Sequence, residues 1–326
     1  MKISRRAFGP LAAASALLAG GTGAAHARSP SAGLRGPLYD LTTPEGNVGA
    51  FAKISSDLSG KTTHGWYRGV LMGMAPGGPI RDLVGIIGMS SQRLEPLADG
   101  PGWQLLQKEC GFFTDLATGA VLERWTNPYT NETVEPFHIA NASVSRRIEP
   151  VVRDARFYDT AAGGAARERP FVLAWDQAGD RLFVETRAHV WANNPLDPAV
   201  WRRESHGAQI QVSDCLAYSC SARDLQDPRL SHVDHAGHWV HVRPWQPWML
   251  MGRRPGACLY SAFTGSAGTL DVVPEEIAAV VRARLPAFLE APRVLTRSEP
   301  SLVRYRRERA PVPIETDPDP AFRSPP

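Results

Sequence analysis

The sequence predicts a mainly β protein built on an antiparallel sheet. Roughly ten segments alternate apolar and polar residues as strands do, and short turns rich in glycine, proline and asparagine separate most of them. Helical periodicity occurs near each end of the chain and not between. An open sheet of this size would leave exposed strand edges. We therefore expect a barrel-like (calycin- or lipocalin-like) sheet or a wrapped sheet, with a helix near each end.

The first helix is predicted to begin at Thr43. This residue can cap the helix, Pro44 suits its first position, and Glu45 favours the positive end of the helix dipole. Val48, Phe51 and Ile54 then recur at helical spacing. The helix should end near Gly60.

The strands follow in order. Residues 64–74 and 82–94 should form a hairpin around the Pro-Gly-Gly-Pro turn at 76–79. Residues 103–145 should hold a meander of three strands, with turns at 115–119 and 127–131. A polar loop is expected at 145–169. Further strands are predicted within 169–176, 180–193, 206–215, 238–245 and 257–265.

One clear helix is predicted to close the domain. It should begin at Pro274-Glu275-Glu276, and Pro286 should kink or end it. Ile277, Val280, Val281, Leu285, Phe288 and Leu289 form its apolar stripe. Prolines and alternating charges in residues 311–326 favour a flexible C-terminal tail, which leaves 28–310 as a single domain.

The first 27 residues have the composition of an export signal. Arg5 and Arg6 precede an apolar run from Leu11 to Ala19, and the Ala-His-Ala sequence at 25–27 has the small-residue pattern of a cleavage site. This indicates recognition by the twin-arginine export machinery and a periplasmic location, with an ordinary secretory signal as the alternative. The apolar run is too short for a permanent membrane helix, so the mature form is predicted to have no membrane segment.

The net charge and the cysteine content indicate which classes of protein this chain can belong to. The net charge of +3 is small and no basic face stands out, so nucleic-acid binding is not expected. An exported protein has an oxidising destination, which makes the four cysteines candidates for disulfides. Cys215 and Cys220 are close in sequence and are the pair expected to bridge if any cysteines do.

The segment 232–256 concentrates unusual residues, with four histidines, three tryptophans and several arginines. His232 and His235 fall in a loop-like stretch and His238 and His241 in a strand, so the four should divide two and two. In that strand Trp239, His241 and Arg243 should share one face, and His238, Val240 and Val242 the other. Trp245 and Trp248 flank a proline turn, where they serve either as core anchors or as a stacking wall for a ligand.

Two motif blocks resemble the bacterial and fungal family called domain of unknown function 1838. The resemblance covers residues 60–295 and implies relatedness without an activity. The first block has W-x-N-P-x-T followed by H-I-x-N, and the second has P-W-x-P-W-M-x-M-G. The matching positions in the first are Asp115, Trp125, Asn127, Pro128, His138 and Asn141, and in the second Trp245, Pro247, Trp248, Met249, Met251 and Gly252.

The leading hypothesis is an exported protein that binds or transforms a hydrophobic, possibly aromatic small molecule. Histidine titrates near neutral pH, so His138, His238 and His241 are the candidates for acid/base chemistry, with His138 expected to reach His238 or His241 across one cavity. Arg243 suits an anionic group, and Asn127 and Asn141 suit a carbonyl oxygen. The tryptophans Trp125, Trp245 and Trp248 complete the predicted substrate-binding set.

Two alternatives remain open from the sequence. One is a metal-dependent protein using the same three histidines with Glu109 or Asp234, although no recurring ligand spacing supports it. The other is a non-catalytic binding protein of the cell envelope. The sequence does not decide between an enzyme and a binding protein, and it indicates no particular cofactor.

Overall fold

A computed structural model describes residues 34–153, 168–294, 296 and 299–323. The predicted export signal at 1–27 and the centre of the predicted loop at 145–169 lie outside these residues.

The described residues form a mainly β fold, as the sequence predicts. The strands have these bounds: β1 Thr63–Met74, β2 Arg81–Pro96, β3 Trp103–Thr114, β4 Trp125–Thr126, β5 Thr133–Val134, β6 Ile139–Ile148, β7 Val151–Arg153, β8 Glu168–Pro170, β9 Asp176–Ala178, β10 Arg181–Asn193, β11 Gln209–Ser221, β12 Ala236–Arg243 and β13 Ala257–Ala267.

A nine-stranded antiparallel sheet has the strand order β6-β3-β2-β1-β13-β12-β11-β10-β9 and curls into a half-barrel. Its two edge strands, β6 and β9, do not pair with each other, so the barrel is not closed within the described residues. Two small two-stranded sheets accompany it, β4 with β5 and β7 with β8.

The first helix, α1 (Pro44–Ser55), lies inside the curl. Thr43 caps it through its side chain, which accepts a hydrogen bond from the Gly46 amide. The helix ends at Ser55, earlier than expected. Phe51 and Ile54 are buried in one cluster with residues from both halves of the sheet, including Leu105 of β3 and Leu182 of β10. A helix packed between the two arms of a curved sheet buries nearly its whole circumference, which explains its apolar sequence.

Polar contacts fix α1 at its C-terminal end. The Lys53 ammonium is buried and donates to the backbone carbonyls of Asp224, Leu225 and Asp227 at 2.7–3.1 Å, around the short helix α2 (Ala222–Leu225). His232 and His235 place Nδ1 at 3.1 Å and 3.0 Å from the carbonyls of Lys53 and Ile54. The loop histidines therefore cap α1, and the four histidines do divide two and two.

The closing helix, α3 (Glu275–Arg284), covers the convex side of the sheet. It packs Ile277 and Val281 against Met89 of β2 and Phe112 of β3. A short 3-10 turn, Pro286–Phe288, follows it directly, so Pro286 ends the regular helix as predicted.

The meander expected at 103–145 is only partly correct. The long strand β3 pairs directly with β6, and the segment between them forms an excursion that contains only the two-residue strands β4 and β5. Asn131, in the turn of this excursion, has a left-handed backbone with φ of 58°. The strand-like alternation at 120–125 gives only a single bridge from Val121 to Thr114 and the first residue of β4, since β2 and β6 already pair with β3 on its two sides.

The C-terminal segment lies against the domain. A helix that the sequence does not predict, α4 (Ser301–Glu308), buries Tyr305 against Trp201 and Phe137 beside the open side of the half-barrel. Residues 311–323, for which composition favours a flexible tail, include the buried residues Ile314 and Asp317. Asp317 forms ion pairs with Arg203 and Arg254, contacts that no local pattern in the tail reveals.

Among the described residues, no helix is long and apolar enough to cross a membrane.

Candidate functional site

Strand β12 carries alternate side chains to opposite faces of the sheet, as predicted. Trp239, His241 and Arg243 point to the concave face, where all three line a cavity beside α4. His238 points the other way: its Nε2 lies 3.1 Å from the Ser261 hydroxyl and its ring contacts Phe263, which is 70% exposed. The strand therefore contributes one histidine to the concave face.

Two adjoining cavities occupy that face. The α1 cavity, about 300 Å³, is bordered by Ser55 at the end of α1. The α4 cavity, about 200 Å³, is bordered by Ser301, Leu302 and Tyr305. Glu109, Asp214 and Trp239 line both cavities, and we call the two together the concave site. The remaining residues used below are Tyr67, Tyr218 and His235 in the α1 cavity and Asn141, His241, Arg243, Gln246, Trp248 and Tyr260 in the α4 cavity.

Asp214 and His241 form a pair across neighbouring strands. They face each other in the register of β11 and β12, and His241 Nδ1 lies 3.3 Å from Asp214 Oδ1. The indole N–H of Trp239 donates to the same carboxylate oxygen. Burial lowers the pKa of His241, the hydrogen bond to Asp214 opposes this, and the charge of Arg243 lowers it further, so the net pKa is below the ordinary value. The imidazole is therefore neutral at pH 7.

A neutral imidazole held in this way can act as a base. When Nδ1–H points to a carboxylate, Nε2 keeps the lone pair that accepts a proton, and the carboxylate stabilises the imidazolium that results. Asp214 and His241 have this arrangement, since they face each other on paired strands with Nδ1 beside the carboxylate.

Glu109 lies on the opposite arm of the sheet. Asn141, its partner in the β3–β6 register, donates from Nδ2 to Glu109 Oε2 at 3.2 Å, and the Ser301 hydroxyl donates to Asn141 Oδ1 at 2.8 Å. Burial raises the pKa of Glu109, the Asn141 bond opposes this, and the negative charge of Asp214 raises it again, with a net increase. A carboxyl group with a raised pKa is suited to donate a proton.

Aromatic hydroxyls form the floor of the site. Tyr67 donates to the Cys110 carbonyl at 3.2 Å, and the Gln246 amide donates to the Tyr260 hydroxyl. Burial raises the pKa of both tyrosines above the ordinary value, so both stay protonated at neutral pH. Both rings contact Trp239, with centroids 5.4 Å and 5.3 Å away. The floor is therefore aromatic and uncharged.

The structure does not bring the three predicted catalytic histidines together. His138 lies at the edge of the sheet, where Nδ1 accepts from the Phe113 amide at 3.2 Å and the ring packs on Phe112 and Phe113. It borders an open groove with Glu123, Arg284 and Arg304, not the concave site. The expectation that His138 meets His238 or His241 in one cavity is wrong, because His138 lies one residue out of phase with the inward-facing Phe137 and Ile139.

Three of the predicted substrate-binding residues serve as packing contacts. Trp125 donates to the Leu83 carbonyl and packs edge-on against Trp248, while Trp245 is buried and donates to the Arg254 carbonyl. Asn127 is fully buried, donating to the Met249 carbonyl at 2.8 Å. The other three, Asn141, Arg243 and Trp248, line the α4 cavity.

The expected Cys215–Cys220 disulfide is absent, and all four cysteines are free thiols. Both residues lie on the straight strand β11, separated by five positions. An extended chain rises about 3.3 Å per residue, and an odd separation directs the two side chains to opposite faces. Bridged cysteines need Cα atoms within about 7 Å, so this strand geometry excludes the bond.

The alternative of a metal-dependent protein is not supported by a group of metal ligands in the described residues. Within the ranges that the structure describes, no three histidine, cysteine, aspartate or glutamate side chains are grouped to hold an ion. The proposed ligands His138, His238 and His241 lie in three different environments.

Two residues of the site were missed as acid/base candidates, Asp214 and Glu109. Asp214 shares the inward face of β11 with Leu216 and Tyr218, and Glu109 shares that of β3 with Leu105. A carboxylate on a mainly apolar strand face was the available signal, since burying a charge is costly unless it has a function or a partner.

The sequence profile of a family described as a protein of unknown function (DUF1838) matches residues 60–308. The chain belongs to the DUF1838 family. The match extends past the predicted limit of 295 and includes α4, so the element that borders the α4 cavity is part of the family domain. No curated protein matches this DUF1838 sequence.

The two DUF1838 motif blocks meet in the folded chain. Asn127 of the first block donates to the Met249 carbonyl and to Met251 Sδ of the second. Trp125 and Trp248, one from each block, are in edge-to-face contact at 5.4 Å. This contact supports the wall of the α4 cavity, because Trp248 borders it.

Proposed function

We propose that this DUF1838 protein is exported to the periplasm and binds a small hydrophobic, aromatic molecule in the concave site. There it transforms the ligand by proton transfer, with His241 as the base and Glu109 as the acid. The observation that carries the proposal is the convergence of the Asp214–His241 pair and Glu109 on one aromatic-lined cavity.

The position of these groups supports a functional role. Glu109 lies on β3 and Asp214 on β11, with β2, β1, β13 and β12 between them in the sheet. The curl brings both to the same space, where the charge of Asp214 raises the pKa of Glu109. Two carboxyl groups and a neutral histidine around a cavity lower the stability of the fold, because each of them loses hydration when it is buried. Apolar side chains at the same positions would not have this desolvation cost.

The chemistry follows from the directions in which the pKa values of His241 and Glu109 are shifted. His241 Nε2 takes a proton from a carbon or oxygen of the ligand, and Asp214 stabilises the resulting imidazolium. Glu109 gives its proton to the oxygen on which negative charge develops, usually a carbonyl oxygen. An isomerisation is completed when the His241 imidazolium gives its proton to a different carbon and the Glu109 carboxylate takes its proton back from the oxygen. A lyase reaction is completed when the Glu109 carboxylate takes that proton back while the leaving group departs with the proton of the imidazolium.

A proton-transfer probe tests this function without knowledge of the ligand. The bicyclic aromatic compound 5-nitrobenzisoxazole opens to a coloured phenoxide when a base removes one ring proton. We expect the protein to accelerate this opening, and His241→Gln to reduce the rate by about 100-fold, the contribution of a positioned base. Asp214→Asn should reduce it as well, since the imidazole then loses its orienting carboxylate.

The matched control is His238→Gln, on the same strand and the opposite face. It should retain the wild-type rate. Equal losses for His238→Gln and His241→Gln, or a wild-type rate no greater than that of free imidazole, would contradict the proposed base.

Export is tested on the leader. The paired arginines support twin-arginine transport, so replacing Arg5 and Arg6 by lysine should leave the precursor in the cytoplasm. Immunoblots of cytoplasmic and periplasmic fractions measure the distribution, with Arg28→Lys, beyond the cleavage pattern, as the control. An unchanged periplasmic yield would show the ordinary secretory route instead.

A further inference from the structure

Arg243 presents an unsatisfied cation to the concave site. It borders the α4 cavity, and its buried Nε has no hydrogen-bond partner. Throughout the described ranges, the Arg243 side chain forms neither a hydrogen bond nor an ion pair. Arg203 and Arg254, by contrast, are paired with carboxylates where they are buried. A partly buried guanidinium without a partner is energetically costly unless something else supplies one.

Four of the titratable side chains around Arg243 do not supply an anion. Burial lowers the pKa of His206 and His241, and the charge of Arg243 lowers it further. Burial raises the pKa of Cys258 and Tyr260 while Arg243 acts in the opposite direction, and the net pKa of both stays raised. All four neighbours are therefore uncharged at neutral pH.

Three carboxyl groups border a cavity with Arg243. Asp214 and Glu109 line the α4 cavity, where they are hydrogen-bonded to His241 and Asn141, and among the described residues neither forms an ion pair with Arg243. Glu204 is the third. Glu204 and Arg243 border the same small cavity of about 10 Å³, which has room for about one water molecule. Glu204 accepts from the Val312 amide, its other oxygen is buried without a partner, and no ion pair joins it to Arg243. Burial raises the pKa of Glu204, while hydrogen bonds and the charge of Arg203 oppose this, so its net pKa lies above the ordinary value.

We propose that Arg243 binds a carboxylate of the ligand, and that the concave site selects aromatic carboxylates over neutral or cationic molecules of the same shape. This rests on the proposed function, because it assigns the ligand class of the same cavity. The planar guanidinium fork matches a carboxylate in geometry as well as in charge.

The spacing on β12 connects this binding to the chemistry. Arg243 and His241 are two residues apart on the same strand face, roughly 6.6 Å along the strand. A carboxylate held by Arg243 places the atoms a few bonds away beside His241, and the aromatic body against Trp239 and Tyr260. The arginine would thus orient the ligand as well as attract it.

A ligand series separates shape from charge. Binding of 2-naphthoate, 2-naphthamide and 2-naphthylmethylammonium to the mature protein is measured by calorimetry at pH 7. We expect naphthoate to bind at least about tenfold more tightly than the amide, as a charge-assisted hydrogen bond implies, and the ammonium to bind most weakly. Arg243→Gln should remove the preference for naphthoate and leave amide binding unchanged.

The control is Arg253→Gln, which removes the same charge from an exposed arginine outside the concave site. This variant should keep the full preference for naphthoate over naphthamide. If Arg243→Gln does not fold, Arg243→Lys provides the test, because lysine keeps the charge without the planar guanidinium. The preference for naphthoate over naphthamide should then fall severalfold.

The outcomes distinguish the two proposals. If none of the three compounds binds, the proposed function fails. If naphthoate and naphthamide bind equally, the concave site remains a ligand site and the carboxylate assignment alone is wrong. A preference for naphthoate that survives both Arg243 substitutions also overturns the assignment.

Discussion

Replacing Arg203 by methionine is expected to destabilise the fold by about 3–5 kcal/mol, the cost of breaking a buried ion pair by removing one partner. Its side chain is 1% exposed and donates to Glu132 Oε2 at 2.5 Å and to the Thr316 hydroxyl at 2.8 Å. Asp317 Oδ2 lies 3.6 Å from Arg203 Nε. Without the guanidinium, the carboxylates of Glu132 and Asp317 lose a shared cation.

Asp317 shows why the loss is large. Burial acts to raise the pKa of Asp317, but hydrogen bonds from Arg254 and the Asp319 amide and the charges of Arg254 and Arg203 outweigh it and lower the pKa. The aspartate is thus buried in its charged form. Methionine fills a similar volume without replacing the charge, so Arg254 alone must then neutralise the group.

Chemical denaturation at pH 7 measures the effect, and Arg202→Met is the matched control. Arg202 is adjacent and more exposed, and the one hydrogen bond of its side chain to a described residue goes to the Arg323 carbonyl at 3.2 Å. The control should change the free energy of unfolding by less than about 0.5 kcal/mol. Limited proteolysis should cleave the segment 311–323 faster in Arg203→Met, and equal stability of the two variants would show that the ion network does not hold this segment.

The fold is also expected to lose stability as the pH falls from 6.5 to 4, in part through His235. Burial lowers the pKa of His235 to about 4, the hydrogen bond to the Ile54 carbonyl opposes this, and the charge of His232 lowers it further. The ordinary pKa in an unfolded chain is about 6.5. Above this pH His235 is neutral in both the folded and the unfolded state, so it does not reduce the stability.

Below pH 6.5 the unfolded state binds the proton first, so protonation favours unfolding until the pH reaches the folded-state pKa. At pH 4.5 the cost from this one histidine is about 2 kcal/mol. His235→Asn keeps a donor for the Ile54 carbonyl and cannot be protonated in this range. We therefore expect this variant to lose about 2 kcal/mol less than wild type between pH 7 and pH 4.5.

Unfolding free energies at the two pH values test this, with His189→Asn, a solvent-exposed histidine on β10, as the control. Other buried histidines contribute to the total acid loss, so the comparison rests on the difference between variants. If His235→Asn and His189→Asn follow the same pH dependence, His235 is not held neutral in the folded protein.

Local patterns predicted much of the framework. Thr43, Pro44 and Glu45 marked the start of α1, and Pro286 marked the end of α3, because caps and prolines act on the backbone within one turn. The alternation along β12 assigned His241 and Arg243 to one face and His238 to the other. A strand has a period of two whatever its neighbours are, so this division needed no knowledge of the fold.

Predictions were wrong or incomplete where the structure of a segment depends on residues distant in the sequence. The excursion between β3 and β6 has strand-like composition but no free edge to pair with. Cys215 and Cys220 are close in sequence, yet the extended strand keeps them apart. The segment 311–323 has the composition of a flexible tail, but its one buried aspartate meets arginines that come from elsewhere in the chain.

By itself, the sequence determined the family, the mainly β class, the helices α1 and α3 and the two faces of β12, since these follow from periodicity, turn residues and motif blocks. The tertiary structure alone decided which inward residues meet. Glu109 and Asp214 come from strands separated by four others, and only the curl of the sheet around α1 brings them to one cavity. Curvature is a property of the whole sheet and its packing, so no stretch of local sequence encodes that meeting.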